Sequence, residues 1–484
     1  METKNVAGDG KASEQKPAMV LAAADPALLK RLQVMAWLLD SRRVDIELTE
    51  LLALTEARTP LEAEERLLTA LRREKLLDFW NDVERPLIDI LDGMQKFGIL
   101  LDEKILQKAS ESAAREIARL EKEIWAATGL EFNINSPKQL AEVLYDKMQI
   151  KRSGGTRSTN AKVLQKLAAA NPVIAKIFEY RELAKLKSTY LDALPRLVGA
   201  EGRLHTTFNQ AGTSTGRFSS QNPNLQNIPT RSDLGQEVRR AFVAPKGCLL
   251  LSVDYSQIEL RMVAMLSKDE RLHKIFNSHE DIHSATAMAV FHVQKEEVTK
   301  EMRRRAKVIN FGILYGMGVR SLAENLGVSQ AEAKVFYDAY FDGFPGMRRY
   351  IEETKAAAQK NGYVTTLFGR KRHFPELTSR NIPEFMKGEF LRMAVNAPLQ
   401  GTAADIMKIA IVRVDARLKK EKLTDAAQIA LQIHDELMLE VEEKMVKKVA
   451  QIVREEMEAA FKDDIPLVAE AKAGKNWGEM GALE

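Results

Sequence analysis

The stretch CLLLSVDYSQIELRMVAML, residues 248–266, reads as a buried strand that ends in a carboxylate, Asp254, and gives way to a helix-compatible pattern. The same grammar returns in AAQIALQIHDELMLEV, residues 426–441: an apolar run, then His434, Asp435 and Glu436, then a second strand-like run. Short apolar runs of this kind suit strands covered on both faces. A carboxylate at the end of such a strand is costly to desolvate unless it is paired or holds a metal ion. Asp254 and Asp435 stand 181 positions apart and meet only through folding, where they could share a cation site in the manner of a two-metal clamp. Each acid taken alone also reads as a capping or hydrogen-bonded turn residue.

Between these stretches lies TKEMRRRAKVINFGILYGMG, residues 299–318. Thr299 is a fair N-cap, so Arg303 and Lys307 fall in the first turns of a helix, four residues apart on one face. Basic groups there oppose the helix dipole by roughly 0.3 to 1 kcal/mol each, a cost that vanishes when an anion such as a triphosphate docks. Continuing by fours adds Phe311 and Tyr315, so the stripe reads cation, cation, aromatic, aromatic and matches a phosphate tail and a flat base. An ordinary solvated basic turn leading into core aromatics carries the same pattern.

The surroundings narrow the class. With 484 residues, 45% hydrophobic and 29% charged, the chain is globular, of two to four domains, and without a run suited to a membrane span. A single cysteine, Cys248, excludes an intrachain disulfide and a Cys/His zinc finger, and a reducing cytoplasm is the default. The net charge of +4 names no partner. Residues 25–127 carry helical periodicity, with Thr59, Pro60 and Glu62 as N-cap, first helical residue and capping-box acceptor, and Ser136 caps another helix before Pro137. The Gly/Ser/Thr-rich loop from Lys151 to Lys162 reads equally as a solvated connection or as a phosphate grip. The polar segment from 206 to 232 reads as loop and extended chain. HEDIH, His279 to His283, matches a zinc-protease motif, but Asp281 is the better N-cap and leaves His279 outside the helix.

In chain order, TSTGRFSSQNPNLQNIP, SVDYSQIELR, the basic-aromatic helix, GYVTTLFGRKR, NAPLQGTAADIMK, QIHDELMLEV and a closing PLVAEAKAGKNWGE together resemble the family A DNA polymerases, over residues 85–484. The resemblance implies an α+β, right-hand polymerase fold with helical thumb and fingers and an antiparallel palm sheet. It implies a flexible tail over 1–25, a non-catalytic helical remnant of an exonuclease domain over 26–84, a thumb over 85–205, palm over 206–265 and 370–484, and fingers over 266–369.

It also implies template-directed, monomeric, cytoplasmic DNA synthesis on primer-template DNA with deoxynucleoside triphosphates and no membrane partner. Two Mg2+ ions, replaceable by Mn2+, would be held by Asp254, Asp435 and the Tyr255 carbonyl, with Glu436 nearby. Arg303, Lys307 and His283 would contact the triphosphate, with Lys307 a candidate to protonate the pyrophosphate. Phe311, Tyr315, Gln257 and Glu259 would surround the nucleotide, Glu259 excluding a 2'-hydroxyl. Arg217, Asn224, Gln226, Asn227, Arg392, Asn396, Gln400 and His434 would line the duplex. About 84 residues precede the matching region, too few for a proofreading nuclease, and Asp45 and Glu47 are a decoy D-x-E. Proofreading and 5'-nuclease activities are therefore expected to be absent. The rivals are a catalytically silent DNA-bridging protein and a nuclease built on Asp435 and Glu436.

Overall fold

A computed structural model describes residues 25–150, 157–168, 171–230, 232–379 and 381–483. The expected N-terminal tail up to residue 24, and residues 151–156 of the Gly/Ser/Thr-rich loop, lie outside the described residues.

The apolar run at 248 forms strand Cys248–Tyr255, the middle member of a five-stranded antiparallel sheet. In spatial order the strands are Gly481–Ala482, Ala469–Gly474, Cys248–Tyr255, Glu436–Glu442 and Ala427–Ile433. Leu250, Leu251, Val253 and Tyr255 are all buried, as a strand covered on both faces requires. Tyr255 fastens the sheet to helix Val446–Glu458 by donating its hydroxyl to the Met457 carbonyl at 2.7 Å.

Helices cover the sheet and extend from it. Ile258–Ser267 leaves the central strand through Gln257, whose φ of 55° turns the chain sharply. The 37-residue helix Glu384–Lys420 packs against Ile258–Ser267 and Val446–Glu458. Lys300–Leu314 packs on Ile282–Phe291. Glu103–Thr128 and Pro172–Leu186 pair through a core of their own, which includes Leu120, Ile124, Leu144 and Ile177. The N-terminal helices Pro26–Leu39, Leu48–Thr55 and Pro60–Arg73 instead join the principal core of the sheet.

Local signals read in the sequence operate here with one change. Thr59 caps its helix through the Glu62 N–H at 3.2 Å, but the Glu62 carboxylate reaches past the N-cap to the Arg58 N–H at 2.8 Å. Ser136 also caps, although its helix runs only Pro137–Ala141 before a wider π-helical turn, Glu142–Lys147. Among the described residues no helix is long and apolar enough to cross a membrane.

Candidate functional site

Sheet register brings the acids together. Asp254 stands directly opposite Glu436 on one side and Glu470 on the other, so three carboxylates share one face of neighbouring strands. Asp435 sits not at a strand end, as the pattern suggested, but in the two-residue turn between Ala427–Ile433 and Glu436–Glu442. His434 takes a φ of 54° to make that turn, and the Asp435 carbonyl accepts the Tyr255 N–H at 3.2 Å. The two motifs therefore touch through the backbone as well as through register. Ser252 donates its hydroxyl to Glu436.

Burial, followed by the charges of Glu436 and Asp435, pushes the Asp254 carboxyl up to about 7. Burial also raises Asp435, with the Arg217 guanidinium working against it. These acids are short of positive charge, and their oxygen donors suit a hard divalent cation. Among the described residues no group of three or more His, Cys, Asp or Glu side chains is gathered to hold a metal. A cation here would rest on Asp254, Asp435 and oxygens of other kinds, such as the Tyr255 carbonyl.

The basic-aromatic helix begins as expected, with Thr299 accepting the Met302 N–H at 3.1 Å. Arg303 is not free: its Nε and Nη2 donate to Asp281 at 2.7 and 3.0 Å. Those bonds, with others from Ser284, hold Asp281 well below the usual carboxylate range against the opposing effect of burial. Lys307 is exposed and has no salt-bridge partner among the described residues. Phe311 is half-buried beside the His283 ring, centroids 5.9 Å apart.

His283, the third residue expected at the triphosphate, stands beside Phe311. It is only 4% exposed, its Nδ1 faces the Asn310 amide nitrogen at 3.0 Å, and burial pushes its pKa down to about 4. The ring is neutral near pH 7 and adds no charge for a triphosphate. His279 lies outside helix Ile282–Phe291 in a left-handed turn, φ 54°, and Asp281 is the N-cap. The two histidines of HEDIH do not share a helical face, and the zinc-protease reading falls.

A line of side chains joins the helix to the acids. Tyr315, at the C-cap of Lys300–Leu314, donates its hydroxyl to Glu259. Glu259 also accepts Arg217 Nη2 at 2.9 Å, and the same nitrogen lies 3.7 Å from Asp435. Gly316, φ 74°, lets the Arg392 stem lie against the turn after Tyr315, where a Cβ would come within 2.7 Å of Arg392 Cγ. Gln226 donates to both the carbonyl and the side chain of Gln432 at 3.3 and 3.2 Å, beside His434. Asn224 accepts the Gln226 N–H at 3.0 Å, and Asn227 is exposed. Asn396 and Gln400 lie on one face of Glu384–Lys420, half-buried, and Asn396 Oδ1 has no hydrogen-bond partner among the described residues.

Against this geometry, the model of DNA polymerase family A matches residues 103–479. The chain belongs to DNA polymerase family A. It is 47% identical over 410 residues to the thermostable DNA polymerase I of Thermus aquaticus, covering 84% of this chain and 49% of that one. It is 46% identical over 404 residues to DNA polymerase I of Pseudomonas aeruginosa, covering 82% of this chain and 44% of that protein. The chain thus spans about half the length of the curated relatives it matches. Among solved structures it resembles the POL domain of Pol1 from M. smegmatis in complex with DNA primer-template and dNTP. The TM-score is 0.88 at 36% identity, covering 93% of this chain and 81% of that one. The α+β polymerase fold expected from the motifs is the fold of this family A member.

Two features of the site escaped the sequence. Glu470 stood inside the quoted PLVAEAKAGKNWGE but drew no role, because only the sheet register sets it beside Asp254. Arg370, Asp405 and Lys408 stood inside quoted motifs but drew no role, and all three are buried, at 2%, 0% and 1% exposure. Asp405 and Lys408 show one signal, charge set within apolar helix sequence, which marks buried charge without saying what it holds, whereas Arg370 opens the basic run Arg370 to Arg372 and shows none.

Proposed function

We propose that this family A chain is a template-directed DNA polymerase that adds deoxynucleotides to a primer 3'-hydroxyl. The observation that carries the reading is the line Tyr315–Glu259–Arg217–Asp435, which ties an exposed basic-aromatic helix to buried, charge-deficient carboxylates. Phosphoryl transfer needs those two halves together: a seat for a polyanionic leaving group and an anionic seat for cations. Two Mg2+ ions held by Asp254, Asp435 and the Tyr255 carbonyl would lower the pKa of the primer hydroxyl and offset charge developing on the triphosphate.

The chain's own side chains do the rest. Lys307 meets the phosphates first, since nothing competes for it, and its ammonium stands ready to donate a proton to pyrophosphate. Arg303 joins by exchanging Asp281 for phosphate oxygens, one charge-assisted partner for another. Phe311 offers a face to the base or sugar, with Gln257 beside the nucleotide. Glu259, held by Arg217 and Tyr315, closes the space a 2'-hydroxyl would need. Arg217, Asn224, Gln226, Asn227, Arg392, Asn396, Gln400 and His434 face the duplex and read acceptors common to all base pairs. In domain terms, residues 85–205 act as thumb, 206–265 and 370–484 as palm, and 266–369 as fingers. The protein works as a cytoplasmic monomer, and residues 26–84 supply no proofreading site. Asp45 fits that reading, because it sits in an exposed turn and accepts a hydrogen bond from Asn209.

The test is extension of a labelled primer with deoxynucleotides and Mg2+ by the native chain and by Asp254→Ala and Asp435→Ala variants that still bind DNA. Template-matched extension lost in both variants supports the proposal. Binding without extension by the native chain would leave a DNA-bridging protein.

A further inference from the structure

Arg217 reaches Glu259 and Asp435 from a short turn, Thr213 to Arg217, that is held from behind by groups the polymerase reading leaves without a task. Trp37, fully buried in the N-terminal helix Pro26–Leu39, donates its indole N–H to the Thr213 carbonyl at 2.9 Å. Thr213 passes this on by donating its hydroxyl to the Arg217 carbonyl at 2.7 Å. From the other side Arg370 Nη2 bridges the Thr215 and Gly401 carbonyls, both at 3.0 Å, while its Nε is fixed by Asp405 at 2.9 Å. Gly216 takes φ 102° against this guanidinium, and a Cβ there would come within 2.2 Å of Arg370 Nη2.

The clamp is anchored in a balanced set of buried charges. Lys408 Nζ donates to Glu84 at 2.7 Å and lies 4.3 Å from the centre of the Trp37 ring. Gln210 Nε2, three residues before Thr213, donates to both the carbonyl and the carboxylate of Glu84. Glu84 and Asp405 balance Lys408 and Arg370, and all four are at most 2% exposed. Buried charges in this arrangement tolerate little displacement, because moving one strands its partner without water.

We propose that Trp37, together with Arg370, is a positioning residue that sets where the Arg217 guanidinium stands, so that the N-terminal helical segment is a working part of the active site rather than a packing remnant. The proposal rests on the polymerase reading for the role of Arg217, and on the hydrogen bonds above for its mechanism.

The test is a double-mutant cycle of Trp37→Phe and Arg217→Ala, measured well below the unfolding midpoint of every variant. Trp37→Phe keeps an aromatic ring in the core and deletes the N–H, so its extension rate falls about fivefold, the worth of one hydrogen bond. Arg217→Ala falls further, and the double variant falls no lower than Arg217→Ala, because Trp37 acts through Arg217. Losses that multiply across the cycle overturn the proposal, since a general weakening of the fold does not depend on Arg217. Arg370→Lys, which keeps the charge but loses the fork between two carbonyls, is run in the same cycle and decides the matter if Trp37→Phe does not fold. The cycle is also read as primer-template affinity by fluorescence anisotropy without Mg2+ or triphosphates. If the native chain extends no primer, the polymerase reading fails, while additivity or its absence in affinity still judges the positioning.

Discussion

His283 offers the sharpest physical test, because geometry predicts that this histidine refuses a proton. Its ring is buried, Asn310 presents an amide nitrogen to Nδ1, and the Phe311 ring lies tilted beside it. Burial is the main cause of its depressed pKa; the attraction of Asp281 works against it, and Lys307 and Arg303 on the facing helix add to the depression. In the unfolded chain the imidazole titrates near 6.5, in the folded protein only near 4. Between those values the unfolded state holds more protons, so stability rises with pH through that window and is lost as pH falls. The penalty from this one ring is about 2 kcal/mol at pH 5 and about 3 kcal/mol at pH 4, relative to pH 8. Histidine labelled with 13C at Cε1 gives seven signals, and the one missing in His283→Gln is the one to follow. It should titrate with a midpoint near 4. Urea unfolding at pH 8 and pH 5 should show the native protein losing about 2 kcal/mol more than His283→Gln, which has no proton to gain. A midpoint of roughly 6 or above, or equal losses in both proteins, would refute the reasoning.

Three further outcomes are expected. Lys307→Ala should raise the KM for nucleotide and lower kcat while primer-template affinity changes little, and unchanged nucleotide kinetics would remove Lys307 from the phosphate seat. Glu84→Gln and Lys408→Met should each destabilise by about 3 to 5 kcal/mol, because each strands a buried charge, whereas the double variant should recover most of the loss; two mild single variants in denaturant titrations would show the pair to be hydrated. Primer-template affinity should fall steeply between about 50 and 200 mM salt, as counterion release dictates, and a flat log–log plot would count against a phosphate-gripping surface.

What could be read from the sequence was what neighbouring residues decide. The buried strand at Cys248–Tyr255, the caps at Thr59, Ser136 and Thr299, and the exclusion of His279 from its helix follow from patterns a few residues long. The approach of Asp254 to Asp435 was legible only because each ended an apolar run, and the turn at His434 altered the detail. Glu470 beside Asp254, Asp281 on Arg303 and Asn310 on His283 were not legible, since register and helix packing create them. The clamp behind Arg217 was the least visible of all, because Trp37, Glu84, Arg370 and Lys408 come from four distant segments and none forms a motif with another.

The position of the central strand has a consequence for how the protein is made. Cys248–Tyr255 finds neither of its neighbours until Glu436–Glu442 and Ala469–Gly474 have been translated. At synthesis rates of about 5 to 20 residues per second, an apolar strand with two open edges leaves the ribosome and waits about 10 to 40 s for a partner. Such an edge recruits any other chain in the same state. Stalled or prematurely terminated chains ending before Glu436 should therefore accumulate as insoluble material or on chaperones, and slower translation of this message should lower the soluble yield rather than the specific activity of what is recovered.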